Sequence, residues 1–361
     1  MKLIKLILLA FFSALILTGC GSKEEKKANE VVVKKWQHVE TLTDINPTAV
    51  AKYQEKIYIG TDNGLYVLEN GLKKLDLKML EDKKIKCFFS DNNQLLIGTD
   101  RGFGILTTSF QFRTVGQVNS IVKNRNGRYM IATNHGIYVA GQGFNDMIHY
   151  SDKNSFFSEY HKNRDLSIRL LKVNSLNLFD EKIILGTDEG LVIAETDLSK
   201  AKFFYGNYIM PTMTDDYIIH KGNSPLTGNL ISSLLVYEKE IFIGTNGGLN
   251  VFSPEGESWR NYTANHLERI KRNNTWTEVE VEGNSDLSGN FISTIAKAHN
   301  KNIFVGSSRG VDIFDTVTRK ITEKLSSDSI VFLFSSDNRL YVATEYNGLN
   351  IYEYKNYEGD I

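Results

Sequence analysis

The chain has 361 residues, with 42 basic and 43 acidic side chains and a formal net charge of −1. That balance supplies no basic surface for a nucleic acid partner. Apolar content of 41% is ordinary for a globular protein, and two cysteines are too few for a disulfide framework.

Residues 1–19 stand apart from the fold. Lys2 and Lys5 give a positive start, and Leu6–Leu17 is an apolar run of signal-peptide length, short for a membrane span. It ends in Leu17-Thr18-Gly19-Cys20, which resembles the lipobox of bacterial lipoproteins. That resemblance implies cleavage before Cys20, acylation of Cys20, and a chain anchored to a membrane by lipid alone. Several acyl chains on one residue suffice for stable anchoring. Gly21 in place of Asp points to the outer membrane if the envelope has one. Residues 20–35 then form the lipidated cysteine and a charged tether, with Glu24, Glu25 and Glu30 diluting its lysines.

Trp36–Leu42 alternates and precedes the first repeat without a partner of its own. From there on the chain writes one pattern seven times. Ile241–Ser253 reads I-F-I-G-T-N-G-G-L-N-V-F-S, and close copies begin at Ile57, Leu95, Tyr129, Ile183, Ile303 and Leu340. Each copy is two short runs rich in Ile, Val, Tyr and Phe around a polar break of the type T-D-x-G, the pattern of a hairpin. The turn glycines are Gly64, Gly102, Gly136, Gly190, Gly248, Gly310 and Gly348. A small residue two places before each turn predicts close approach of neighbouring backbone. Another apolar run precedes each hairpin, and a more polar run follows most of them. Four antiparallel strands repeated radially predict an all-β fold, a seven-bladed β-propeller of four-stranded antiparallel blades over residues 36–361. The last unit lacks a fourth strand, so Trp36–Leu42 is expected to supply it and close the ring.

Three connections are long: Gln142–Asn174, Gly206–Gly228 and Ala264–Gly289. In a propeller such links share a face with the hairpin turns, so they are expected to build up one side as ordered loops. The second gathers Tyr205, Tyr208, Met210, Met213, Tyr217 and His220 around Pro211. Aromatic residues and Met suit a binding surface, and the same residues could instead cover a blade edge. The third is basic, with His266, Arg269, Lys271 and Arg272, and reads as a solvated charge run or a receiver of acidic groups.

Leu226–Ser253, beginning L-T-G-N-L-I-S-S-L, and Leu287–Asp315, beginning L-S-G-N-F-I-S-T-I, resemble the two-component regulator propeller repeat. The family's Trp before Ile-Gly-Thr is replaced by Tyr58, Leu96, Met130, Ile184, Phe242, Phe304 and Tyr341. The resemblance implies an extracytoplasmic propeller of sensor type with a bias towards ligand or partner binding. After the last repeat only Tyr354–Ile361 follow, with no sign of a kinase portion.

No nucleophile elbow, zinc-protease helix, phosphate loop or C-x-x-C pair is present, so no catalytic residue and no cofactor or metal is assigned. Cys87, in an apolar run, reads as a buried inert thiol. His135 reads as a turn residue, and His161, Arg164 and Asp165 as a solvated loop. The expected function is a lipid-anchored extracytoplasmic scaffold that binds an envelope protein partner without catalysis. Recognition of a glycan or small ligand on the built-up face is the alternative, and a propeller lyase or hydrolase a more distant one.

Overall fold

Seven four-stranded antiparallel sheets, six in plain sequential order and the seventh with the first strand of the chain set beside the last, and two separate two-stranded hairpins account for every strand of the described residues. The computed structural model describes residues 35–91, 93–151, 172–211, 217–272 and 275–355. Cys20 and the tether up to Lys34, His161, Arg164, Asp165 and Met213 lie outside them.

Blade 1 begins at Pro47–Tyr53, and the innermost strands of blades 2 to 7 are Ile85–Asp91, Val118–Lys123, Val173–Phe179, Ile231–Tyr237, Ile292–Lys297 and Ile330–Ser336. These seven strands line the axis and pack in succession, the seventh against the first. The core is distributed in seven apolar clusters, each straddling two adjacent blades. No blade buries its apolar faces alone, which is the physical reason the repeat must close. The small residue before each turn belongs to these junctions. A Cβ on Gly186 would strike the side chain of Ile231, and one on Gly244 that of Ile292. The close neighbour is therefore a branched side chain of the next blade, where neighbouring backbone was expected.

Closure follows the expected route. Trp36–Leu42 pairs antiparallel with Leu349–Tyr354, from Trp36 opposite Tyr354 to Leu42 opposite Leu349, and becomes the outer strand of blade 7. Trp36 is buried between blades, its ring 5.0 Å from Phe304 of blade 6 and 5.1 Å from Tyr354 of blade 7. Both ends of the propeller thus sit in one sheet.

The turns are locked by a side chain whose role the repeat alone did not reveal. Thr61, Thr99, Thr133, Thr187, Thr245, Ser307 and Thr344, all buried, close the second strand of each blade. Thr245 Oγ1 donates to the Gly248 carbonyl at 2.9 Å and accepts from the Gly247 amide at 3.1 Å. The same pair of bonds recurs at the other six turns. The glycine itself is required by backbone: Gly190 has φ +131°, and a Cβ there would strike the Phe204 carbonyl.

Two expectations are corrected by position. Ile148–Tyr150, inside the first long connection, is the fourth strand of blade 3. The second and third connections are hairpins with strands of their own, Tyr208–Pro211 with Tyr217–His220 and His266–Arg272 with Thr275–Val281.

Candidate functional site on one face and at the channel mouth

The start of every innermost strand pairs with the end of the second strand, so it lies at the same face as the Thr-locked turns. Links from one blade to the next reach that face too. Both inserted hairpins therefore rise from it, at the junctions of blades 4 and 5 and of blades 5 and 6.

The two hairpins are rooted by the same device. At the first, Asn229 Oδ1 accepts from the Gly206 amide at 2.7 Å, Asn223 Oδ1 from the Tyr205 amide at 2.9 Å, and Asn207 Oδ1 from the Gly222 amide at 2.9 Å. At the second, Asn290 holds the Ala264 amide at 2.6 Å, Asn284 the Thr263 amide at 2.8 Å, and Asn265 the Gly283 amide at 2.8 Å. These amides have no ladder partner where the chain leaves a blade, and each would be costly to leave unbonded. The connecting segments are then tied to the next blade through its third strand. Asn250 accepts from the Thr227 amide at 3.0 Å, and Asp312 from the Ser288 amide at 2.7 Å and hydroxyl at 2.6 Å.

Of the six residues singled out in the second connection, Tyr205, Tyr208 and His220 come together. Tyr208 and His220 are a cross-strand pair with rings stacked at 4.8 Å and 7°, and Tyr205 meets Tyr208 edge-on at 6.5 Å. This stack takes up one face of Tyr208. In the backbone ladder Met210 pairs with Ile218 and Tyr217 with Pro211. Among the residues whose exposure is described, the hairpins carry large exposed apolar side chains at Ile219, 70% exposed, Leu267, 67%, and Trp276, 46%. Leu267 and Trp276 fall on one side of their hairpin, because Trp276 pairs with Lys271, four residues beyond Leu267.

Along the axis opens the central channel, a cavity of about 530 Å³ lined by the innermost strands of all seven blades. Every one of these strands carries a register shift at its second residue, the positions being Thr48, Lys86, Asn119, Asn174, Ser232, Ser293 and Val331. An extra residue in a strand bends it and re-aims its side chain, and all seven of these side chains line the channel. Five of them donate to the carbonyl of the first residue of the next blade's inner strand. Asn119 and Asn174 reach Val173 and Ile231 at 2.8 and 3.0 Å, Thr48 reaches Ile85 at 2.5 Å, Ser293 reaches Ile330 at 2.6 Å, and Ser232 reaches Ile292. The result is a belt of hydrogen bonds around the axis, broken at Lys86 and Val331.

Cys87, one residue deeper, is buried, and desolvation pushes its thiol up to about 12, so it stays protonated and unreactive at neutral pH. His135 occupies the turn of blade 3, where its carbonyl lies 2.7 Å from His149 Nε2. Another surface groove, of about 670 Å³, lies between blades 4 and 5 among Phe179, Lys182, Glu195, Lys202 and Glu257.

No family model and no curated protein matches the sequence. Solved structures match in fold. The extracellular domain of a hybrid two-component system from B. thetaiotaomicron is similar at a TM-score of 0.64 and 15% identity, over 88% of this chain and 40% of that one. The fold is shared with an extracellular propeller. This chain therefore spans well under half the length of that relative. Virginiamycin B lyase from Staphylococcus aureus is similar at a TM-score of 0.57 and 11% identity, over 88% of this chain and 99% of that one. The WD40 domain of Neurospora crassa Pan2 is similar at 0.56 and 9%, over 90% and 98%. At such identities the likeness is one of fold, and folds of this kind host unrelated functions. No helix among the described residues is long and apolar enough to cross a membrane.

Proposed function

We propose that this protein is an extracytoplasmic binding propeller, held to a membrane through lipid on Cys20, whose paired hairpins dock an envelope protein without catalysis. The observation that carries the docking reading is the exposure of Ile219, Leu267 and Trp276 on two hairpins that are otherwise firmly rooted by asparagines. Large apolar side chains held out on a fixed support suit a protein partner, where aromatic anchors supply most of the binding energy. Anchoring through Cys20 is supported by the lipobox-like Leu17-Thr18-Gly19-Cys20, and an extracytoplasmic setting by the fold shared with an extracellular domain.

The docking reading is tested by photo-crosslinking in the native host from a photoreactive residue at Leu267 or Trp276. One envelope protein should be captured from either position, and capture from Trp276 should fall at least tenfold in a Leu267→Ser background. A blank from both positions, or capture indifferent to Leu267→Ser, would reject the docking surface.

A second reading, recognition of a glycan or other small ligand on the same face, is supported by the channel mouth, whose lining is rich in amides and hydroxyls. Such groups, placed in a concave site, are what orients a small polar ligand.

A further inference from the structure

The break in the hydrogen-bond belt at blade 2 has a chemical character of its own. Where five other blades place a short donor, blade 2 places Lys86, and the side-chain contact to the Val118 carbonyl among the described residues comes from Cys87 Sγ at 4.0 Å. Lys84, just before the same strand, and Lys172, just before the inner strand of blade 4, line the same cavity. None of the three ammonium groups has a hydrogen-bond or ion-pair partner among the described residues. Burial is the main influence lowering the Lys86 pKa, followed by repulsion from Lys84 and Lys172, with the Asp100 carboxylate too weak a counterweight to reverse it. Three cations around one mouth, one of them half-buried and off the pattern of the ring, repel one another, and an anion among them would offset that cost.

The lining is also lopsided. Gln117, Asn119 and Asn174 stand with the lysines on blades 2 to 4, whereas blade 7 contributes Val331 and Phe332. We propose that the channel mouth binds a small hydroxylated organic anion, its carboxylate or phosphate held by Lys84, Lys86 and Lys172 and its hydroxyls donating to the side-chain oxygens of Gln117, Asn119 and Asn174, whose amide nitrogens are engaged within the protein. Its less polar side would face Val331 and Phe332. The cavity volume is within the range of small-molecule sites, roughly 300–1,000 Å³. This inference rests on the small-ligand reading and is independent of docking at the hairpins, which crosslinking tests separately.

The experiment is titration calorimetry and thermal melting of the chain from residue 21, with glucuronate and glucose 6-phosphate as the anionic probes. Glucose and inorganic phosphate are the controls for the neutral scaffold and the bare anion. At least one anionic sugar should bind and raise the melting temperature, with glucose at least tenfold weaker. Comparison of the two sugars tells carboxylate from phosphate. Lys86→Met, which keeps the length of the side chain and removes its charge, should weaken that binding at least tenfold and melt no lower than the parent protein. Lys172→Gln should weaken it as well. Absence of binding by both anionic sugars would overturn the proposal. So would binding unchanged by Lys86→Met, or binding of inorganic phosphate that is equal in the parent and both variants.

Discussion

At the position two residues after the turn glycine, blades 5, 6 and 7 carry Asn250, Asp312 and Asn350, all buried. Asn250 both accepts from the Thr227 amide and donates to the Thr227 hydroxyl at 2.9 Å, so its side chain is satisfied while neutral. Asp312 fills the same place with a carboxyl group. Burial raises its pKa above the ordinary carboxylate value; the two bonds from Ser288 and the charge of Lys324 oppose that shift without cancelling it. A carboxyl whose folded pKa is raised contributes its stability fully below the unfolded pKa, and loses it as pH rises through the folded one. Asp312→Asn is therefore expected to restore the arrangement of blade 5. Its melting temperature should exceed the parent's by a few degrees at pH 7, and the advantage should shrink to nothing below the ordinary carboxylate range. Melting curves from pH 3 to 8 check this; an advantage that grows as pH falls would show the sign to be wrong. The residue was visible in the repeat as an Asp among Asn, but its burial and its bonds to Ser288 were not, since Ser288 belongs to a connection whose path no local pattern dictates.

Among elements, the inserted hairpins show how a repeat can extend one face without loosening the ring. Asn229 and Asn290 were legible as members of a recurring L-x-x-N-x-I pattern, yet their partners, Gly206 and Ala264, lie 23 and 26 residues earlier in the chain. Asn229→Ala would leave the Gly206 amide and carbonyl without their partner. The expected cost is about 1–3 kcal/mol, felt locally. Hydrogen exchange should quicken across Tyr208–Pro211 and Tyr217–His220 while the inner strands of blades 4 and 5 keep their protection. Equal loss in those inner strands would mean that the hairpin is part of the cooperative core. The aromatic stretch around Pro211 was recognisable as unusual, but composition could not tell docking surface from minicore. The ladder shows only why Tyr208 and His220 stack: it places them directly opposite each other.

On the scale of the molecule, the ring is one closed set of junctions, and the strand Trp36–Leu42 is its seam. Trp36→Ala should cost about 3–5 kcal/mol, the range for emptying a buried aromatic site, and should lower the melting temperature of the whole propeller in a single transition. Deletion of residues 36–42 should go further, exposing the edge at Leu349–Tyr354 and promoting association. A deletion variant that melts like the parent would show that the ring does not depend on its seam.

The sequence by itself determined the blade count, the hairpins and the closing strand, because these rest on local periodicity, turn chemistry, and a spare strand before the first unit that matches a strand missing from the last. Only the tertiary structure decided what faces the axis. The belt of Thr48, Asn119, Asn174, Ser232 and Ser293, and its break at Lys86, depend on one bulge per inner strand and on carbonyls of the neighbouring blade. A bulge leaves no mark in an apolar pattern, and a partner 37 to 60 residues away leaves none in a local one. The ring must close before Lys84, Lys86 and Lys172 share a cavity.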